Sequence, residues 1–184
     1  MKPILFILVC AVAIAGVSSW ADEPRDIRLN RLFAELHRTR DIAAGQSLTD
    51  RIWDIWHNTG RPETVELMLD GRRALQRQDV ETALQRFNEV VKREPDLSEG
   101  WNKRATLYFV MGRYRASIAD IGKVLELEPR HFGALAGLGM IYELLNQPRK
   151  ALDAWRRALA ANPHLQDAPR RIRQLERDLG QQRI

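Results

Sequence analysis

Pro95, Pro129 and Pro163 stand 34 residues apart, and the stretches before them align without gaps when units start at Thr64, Ser98 and Phe132. A fixed period of this length restricts the chain to a stacked architecture. One unit cannot bury its own apolar face, so neighbouring units must bury it for one another. Side-chain size alternates in register with the beat. Small residues recur at Gly71, Ala105 and Gly139, and again at Ala83, Ser117 and Ala151. Large ones recur at Leu67, Trp101 and Leu135, and at Phe87, Ile121 and Trp155; Tyr108 and Tyr142 stand where the first unit has Ala74. Small opposite large through three units predicts helices that interlock at close range.

Local chemistry divides each unit into two helices of about 14 residues, roughly 21 Å each. Gly112 and Asn146 occupy equivalent positions and accept the left-handed conformation that ends a helix, with Gln78 the weaker counterpart. Asp79 is placed to cap the next helix, and Pro148 suits a first helical turn. Asp96-Leu97-Ser98-Glu99 has the pattern of a capping box opening the second unit.

The segments outside the repeats carry different signals. Lys2, the apolar run Ile4 to Val17, and Ser19-Trp20-Ala21 read as an export signal over residues 1–21, with cleavage before Asp22. The run is shorter than the roughly 20 residues of a spanning helix. Cleavage leaves 163 residues without cysteine, since Cys10 is the one cysteine, and a formal charge of +4 from 28 basic and 24 acidic residues. The expected location is the periplasm, which makes nucleic acid an improbable partner. Retention of the segment would instead give a membrane-tethered component.

Residues 22–63 hold two amphipathic stretches. Ile27, Leu29, Leu32, Phe33 and Leu36 mark the first; after an interruption at Gly45, Ile52, Trp53, Ile55 and Trp56 mark the second. Extending the frame backwards makes this pair a degenerate leading repeat or cap whose tryptophans cover the open end of the stack. Gly60-Arg61-Pro62 then turns into the first full unit.

The aligned residues resemble the tetratricopeptide repeat (TPR) family, with good specificity over residues 64–163 (units 64–97, 98–131 and 132–163) and weakly over 30–63. The resemblance implies an all-α fold, a right-handed helix-turn-helix solenoid. It also implies that residues 164–184 include a helix closing the array, Asp167 to Leu179, with Ile172, Leu175 and Leu179 buried and Arg170, Arg171, Arg173 and Arg177 wet. The first helix of each unit would line a concave groove that binds a protein or peptide. Its lining would be Met68, Arg72 and Leu75 from the first unit, and Asn102, Lys103, Thr106 and Phe109 from the second. The third would supply Gly133, Ala136, Gly137, Met140 and Glu143. Gly133 and Gly137 either leave room for a ligand side chain or pack helices closely through their GxxxG spacing. The carboxylate clamp of chaperone-tail binders is not indicated, because its positions here hold Met68, Arg72, Lys103, Gly133 and Gly137.

No catalytic constellation stands out, and no cofactor or metal is expected. His37, His57, His131 and His164 are scattered; His131 and His164 each follow a unit-ending proline and so lie near turns on one edge. Two charges depart from the repeat: Asp70 and Arg104 occupy the position of Leu138. Stacking makes these positions neighbours, so an ion pair between units is expected, joined by Asp120. The alternative is that both side chains reach out to water. The function expected is a non-enzymatic adaptor of the cell envelope.

Overall fold

The computed structural model describes residues 23–181, so the expected export signal lies outside the described residues. Among the described residues there are nine α-helices and no strand: α1 (Arg25–Arg38), α2 (Ile42–His57), α3 (Pro62–Gln76), α4 (Val80–Arg93), α5 (Ser98–Val110), α6 (Tyr114–Leu127), α7 (Phe132–Leu144), α8 (Pro148–Ala161) and α9 (Ala168–Gln181). The all-α repeat fold is therefore as the resemblance implies. Helices α3 to α8 form the three units.

Each unit turns in the same way. Gln78, Gly112 and Asn146 have φ of 62°, 70° and 51°. The next residue's N–H bonds back to a helix carbonyl in every case: Asp79 to Ala74 (2.9 Å), Arg113 to Tyr108 (2.8 Å) and Gln147 to Tyr142 (2.8 Å). This closes the helix end in the Schellman manner, with glycine, asparagine and glutamine tolerating one geometry at different strain. Asp79 caps α4 by accepting from Thr82 N–H at 3.0 Å, as expected.

The size alternation becomes direct contact. A Cβ on Gly71 would lie 2.5 Å from the Phe87 ring, and one on Gly139 would lie 2.8 Å from Trp155 Nε1. In the second unit Ala105 and Ile121 share one core, and Ser117 Oγ donates to the Ala105 carbonyl at 2.7 Å. Helix α9 closes the array on α8, with Ala168 and Leu175 buried beside Ala151 and Trp155.

The first two helices depart from expectation. Gly45 does not interrupt; it lies in the first turn of α2, which Asp41 caps by accepting from Ala44 N–H at 2.7 Å. Nor do α1 and α2 cover the open end before α3. Leu29, Leu32, Phe33, Leu36, Ile52 and Trp56 form one core with Phe132 and Leu135 of α7 and Ala158 and Ala161 of α8. The hairpin lies along the edge where the inter-unit turns emerge. Gly60, with φ of 125°, reverses the chain from α2 into α3, a conformation that favours glycine.

The turn histidines hold this hairpin. His164 Nε2 lies 3.2 Å from the Leu36 carbonyl, and its ring fills the space a side chain at Gly45 would take. Asn162 Nδ2 donates to Thr49 Oγ1 at 3.0 Å, both residues buried. The His131 ring stacks on Trp56 with centroids 4.1 Å apart and planes 9° from parallel.

Candidate functional site

The hairpin turns the groove into a three-walled cleft. Asp50, Trp53, Asp54 and His57 of α2 face Asn102, Lys103 and Thr106 of α5 across about 600 Å³, with Gly133 of α7 between them. Through Asn102, Thr106 and Gly133 this space continues into an apolar cleft of about 100 Å³. Phe109, Ile121, Gly137 and Met140 are among its walls.

Beneath the floor lies a buried carboxylate. Glu99 is fully buried, and its Oε2 accepts from Asn102 Nδ2 at 2.9 Å. His131 Nδ1 accepts the Ala134 N–H at 3.1 Å, which caps α7; its Nε2 therefore carries the proton directed at Glu99 Oε2, 3.3 Å away. Lys103 Nζ lies 2.6 Å from Glu99 Oε1, an ion pair by distance whose angles fall outside a directed hydrogen bond. His57 Nε2 is 3.2 Å from that oxygen and 3.2 Å from Lys103 Nζ. Burial alone would raise the Glu99 pKa, but the His131 hydrogen bond, the neighbouring His57 ring and the Lys103 charge outweigh it. The carboxyl is held well below the usual carboxylate range. The expected capping box does not form: Leu97 is the residue before α5 with no side-chain cap, because Glu99 turns inward to this cluster.

The structure brings Asn102, Lys103, Thr106, Phe109, Gly133, Gly137 and Met140 together around the cleft. Other expected lining residues do not join them. Met68 is buried against Val90 and Leu97, and Leu75 packs on the core of Ala74 and Phe87. Arg72 is exposed on α3. Ala136 is half-buried beside the apolar residues of the hairpin and of α9. Glu143 accepts from Trp155 Nε1 at 2.5 Å and from Arg171 at 3.0 Å, which ties α7 to α8 and α9.

The two glycines answer differently. Trp53 of α2 lies so close over Gly133 that a side chain there would collide with its indole. At Gly137 a Cβ would meet only Ile121 Cδ1, at 3.8 Å, an ordinary contact. Gly133 thus admits a tryptophan of the chain itself, and Gly137 leaves the apolar cleft open.

The expected Asp70–Arg104 pair is replaced by two others. Asp70, 42% exposed, pairs with Arg73 one turn along α3 at 2.9 Å. Arg104 reaches Asp120 in a two-point contact, Nε to Oδ2 at 2.7 Å and Nη2 to Oδ1 at 2.8 Å, and donates to Asn88 at 2.9 Å. A guanidinium favours the carboxylate that it can meet with both arms, and Asp120 is the buried one.

Sequence reasoning missed Asp50, Trp53, Asp54, His57 and Glu99. One signal was present: Gly133 and Glu99 stand at equivalent positions in the frame, where the first unit has Val65, so both break the repeat at one place.

Comparison with known proteins agrees with the repeat fold. A family model described as tetratricopeptide repeat matches residues 102–165. A TPR repeat-containing protein of Rhizobium etli is 38% identical over 152 residues, covering 83% of this chain and 74% of that protein. Among solved structures, the Sgt2 TPR domain from Aspergillus fumigatus has a TM-score of 0.62 at 18% identity, covering 68% of this chain and 84% of its own. The first TPR of Spaghetti, solved bound to an HSP90 peptide, has a TM-score of 0.60 at 17% identity, covering 64% and 93%. The chain belongs to the tetratricopeptide repeat family.

Proposed function

We propose that this chain is a non-enzymatic adaptor that binds an extended peptide of a partner protein in the cleft between α2, α5 and α7. Tetratricopeptide repeats generally mediate protein or peptide binding. The observation that carries the reading is the open apolar cleft beside Gly137, which takes one apolar side chain between Phe109 and Met140. Asn102 commits its Nδ2 to Glu99, so its Oδ1 remains to accept a peptide N–H. Recognition is preorganised, because the stacked helices fix the cleft before the peptide arrives.

The apolar amino-terminal run and the small residues after it support export to the periplasm; retention of that run would make the chain a membrane-tethered assembly component. Amino-terminal sequencing of the exported product distinguishes the two, since a start at Asp22 excludes tethering. The binding role is tested by capture from envelope extract with the mature chain and with Gly137→Leu. The expected result is a partner lost in the variant while its thermal unfolding is unchanged. A partner captured equally by both would refute the cleft as the site.

A further inference from the structure

The charge around the cleft is one-sided, and α2 makes it so. Asp50 and Asp54 stand one helical turn apart on that helix, both exposed, and line the same space as Asn102 and Thr106. Asp50 receives Gln46 Nε2 at 2.9 Å; among the described residues neither aspartate has an ion-pair partner. Lys103 is the one lysine or arginine among the lining residues, and Glu99 lies 2.6 Å from its ammonium. The floor is therefore neutral as a pair, and the α2 wall carries two carboxylates, on a chain whose formal net charge is +5. Asp54 also borders the pocket on the other side of α2 that Arg25, Arg28, Arg31 and Arg51 line, where Arg25 meets Glu128 and Asp26 and Arg31 meets Glu23, so Asp50 is the carboxylate that lines the cleft alone.

The apolar cleft lies at the other end of the same space, past Thr106 and Gly133. A bound segment would thus have an apolar side chain at one end and an acidic wall at the other. We infer that this groove, taken as the peptide site proposed above, selects peptides that combine an apolar anchor with a lysine or arginine on the α2 side. Trp53 supports that wall as well. It stacks on His57 at 5.2 Å with planes 21° apart and rests on Gly133, so the helix carrying the aspartates is fixed against the floor.

The test is selection from a displayed peptide library with a fixed central leucine and flanks biased to Lys/Arg, to Gln/Ser or to Asp/Glu. The baits are the mature chain, Asp50→Asn with Asp54→Asn, Gly137→Leu and Met140→Glu, each checked for unchanged thermal unfolding. Basic flanks are expected to be enriched on the parent chain. An exposed ion pair changes affinity by up to about fivefold, so the double asparagine variant should lose about that preference while still binding leucine peptides. High salt should have the same effect. Enrichment of neutral or acidic flanks, still abolished by Gly137→Leu or Met140→Glu, overturns the inference and leaves the peptide site standing. Absence of any enrichment, or enrichment that survives both cleft variants, refutes the site and the inference together.

Discussion

Replacing Glu99 by glutamine tests the buried cluster that joins α2, α5 and α7. The substitution preserves volume but removes the charge that faces Lys103 at 2.6 Å and His57 at 3.2 Å. Breaking a buried ion pair by deleting one partner costs about 3–5 kcal/mol. Lys103 retains 21% side-chain exposure and can reach water, which favours the lower end, about 3 kcal/mol. The pH dependence gives a sharper signature. The Glu99 pKa is lowered from its ordinary 4.5 in the fold, so below that value the unfolded chain takes up a proton that the native chain refuses. Stability from Glu99 is thus complete above pH 4.5 and is lost as pH falls towards the folded pKa. The gap between parent and variant should narrow by up to about 1.4 kcal/mol per pH unit in that window. Urea denaturation followed by tryptophan fluorescence at pH 7, 5, 4 and 3 measures both. A variant within about 0.5 kcal/mol of the parent at pH 7, or a gap as wide at pH 3 as at pH 7, would refute the reasoning.

Two further outcomes follow from the packing. Trp56→Ala should cost about 3–5 kcal/mol, because the indole is 1% exposed among Phe33, His131 and Phe132; a loss under about 1 kcal/mol in chemical denaturation would show that the hairpin is not anchored there. Asp70→Asn should stay within about 0.5 kcal/mol of the parent, and its loss should add to that of Arg104→Gln. Arg104→Gln with Asp120→Asn should instead show a coupling above about 1 kcal/mol in a double-mutant cycle, and additivity there would remove the two-point contact from the account.

The sequence carries local and periodic information well. The turns at Gln78, Gly112 and Asn146, the Asp79 cap and the small-large contacts were all legible, because each depends on residues inside one unit or at one repeat spacing. The position of α1 and α2 was not. Their partners in α7 and α8 lie about a hundred residues away, and a backward extension of the frame favours the wrong neighbour. Glu99 has the local pattern of a capping residue for the same reason: His57 and His131, which turn it inward, are 42 and 32 positions away. Asp70 and Arg104 were paired by their shared position, whereas side-chain reach along α3 and across to α6 decided their contacts.

The edge-on hairpin changes how this array can assemble. A repeat protein ordinarily grows one unit at a time, each rung needing only the rung before it. Here Thr49 is joined to Asn162, 113 residues later, and the faces of Leu32, Phe33 and Trp56 are complete only when α7 and α8 exist. During synthesis from the amino end, the first helices emerge with their apolar sides uncovered until nearly the whole chain has followed. Such distant contacts raise the contact order and slow folding, and the delay leaves the nascent segment open to capture or aggregation. In return, opening the third unit exposes the core of the first helices, so the two ends of the chain unfold together rather than fraying separately.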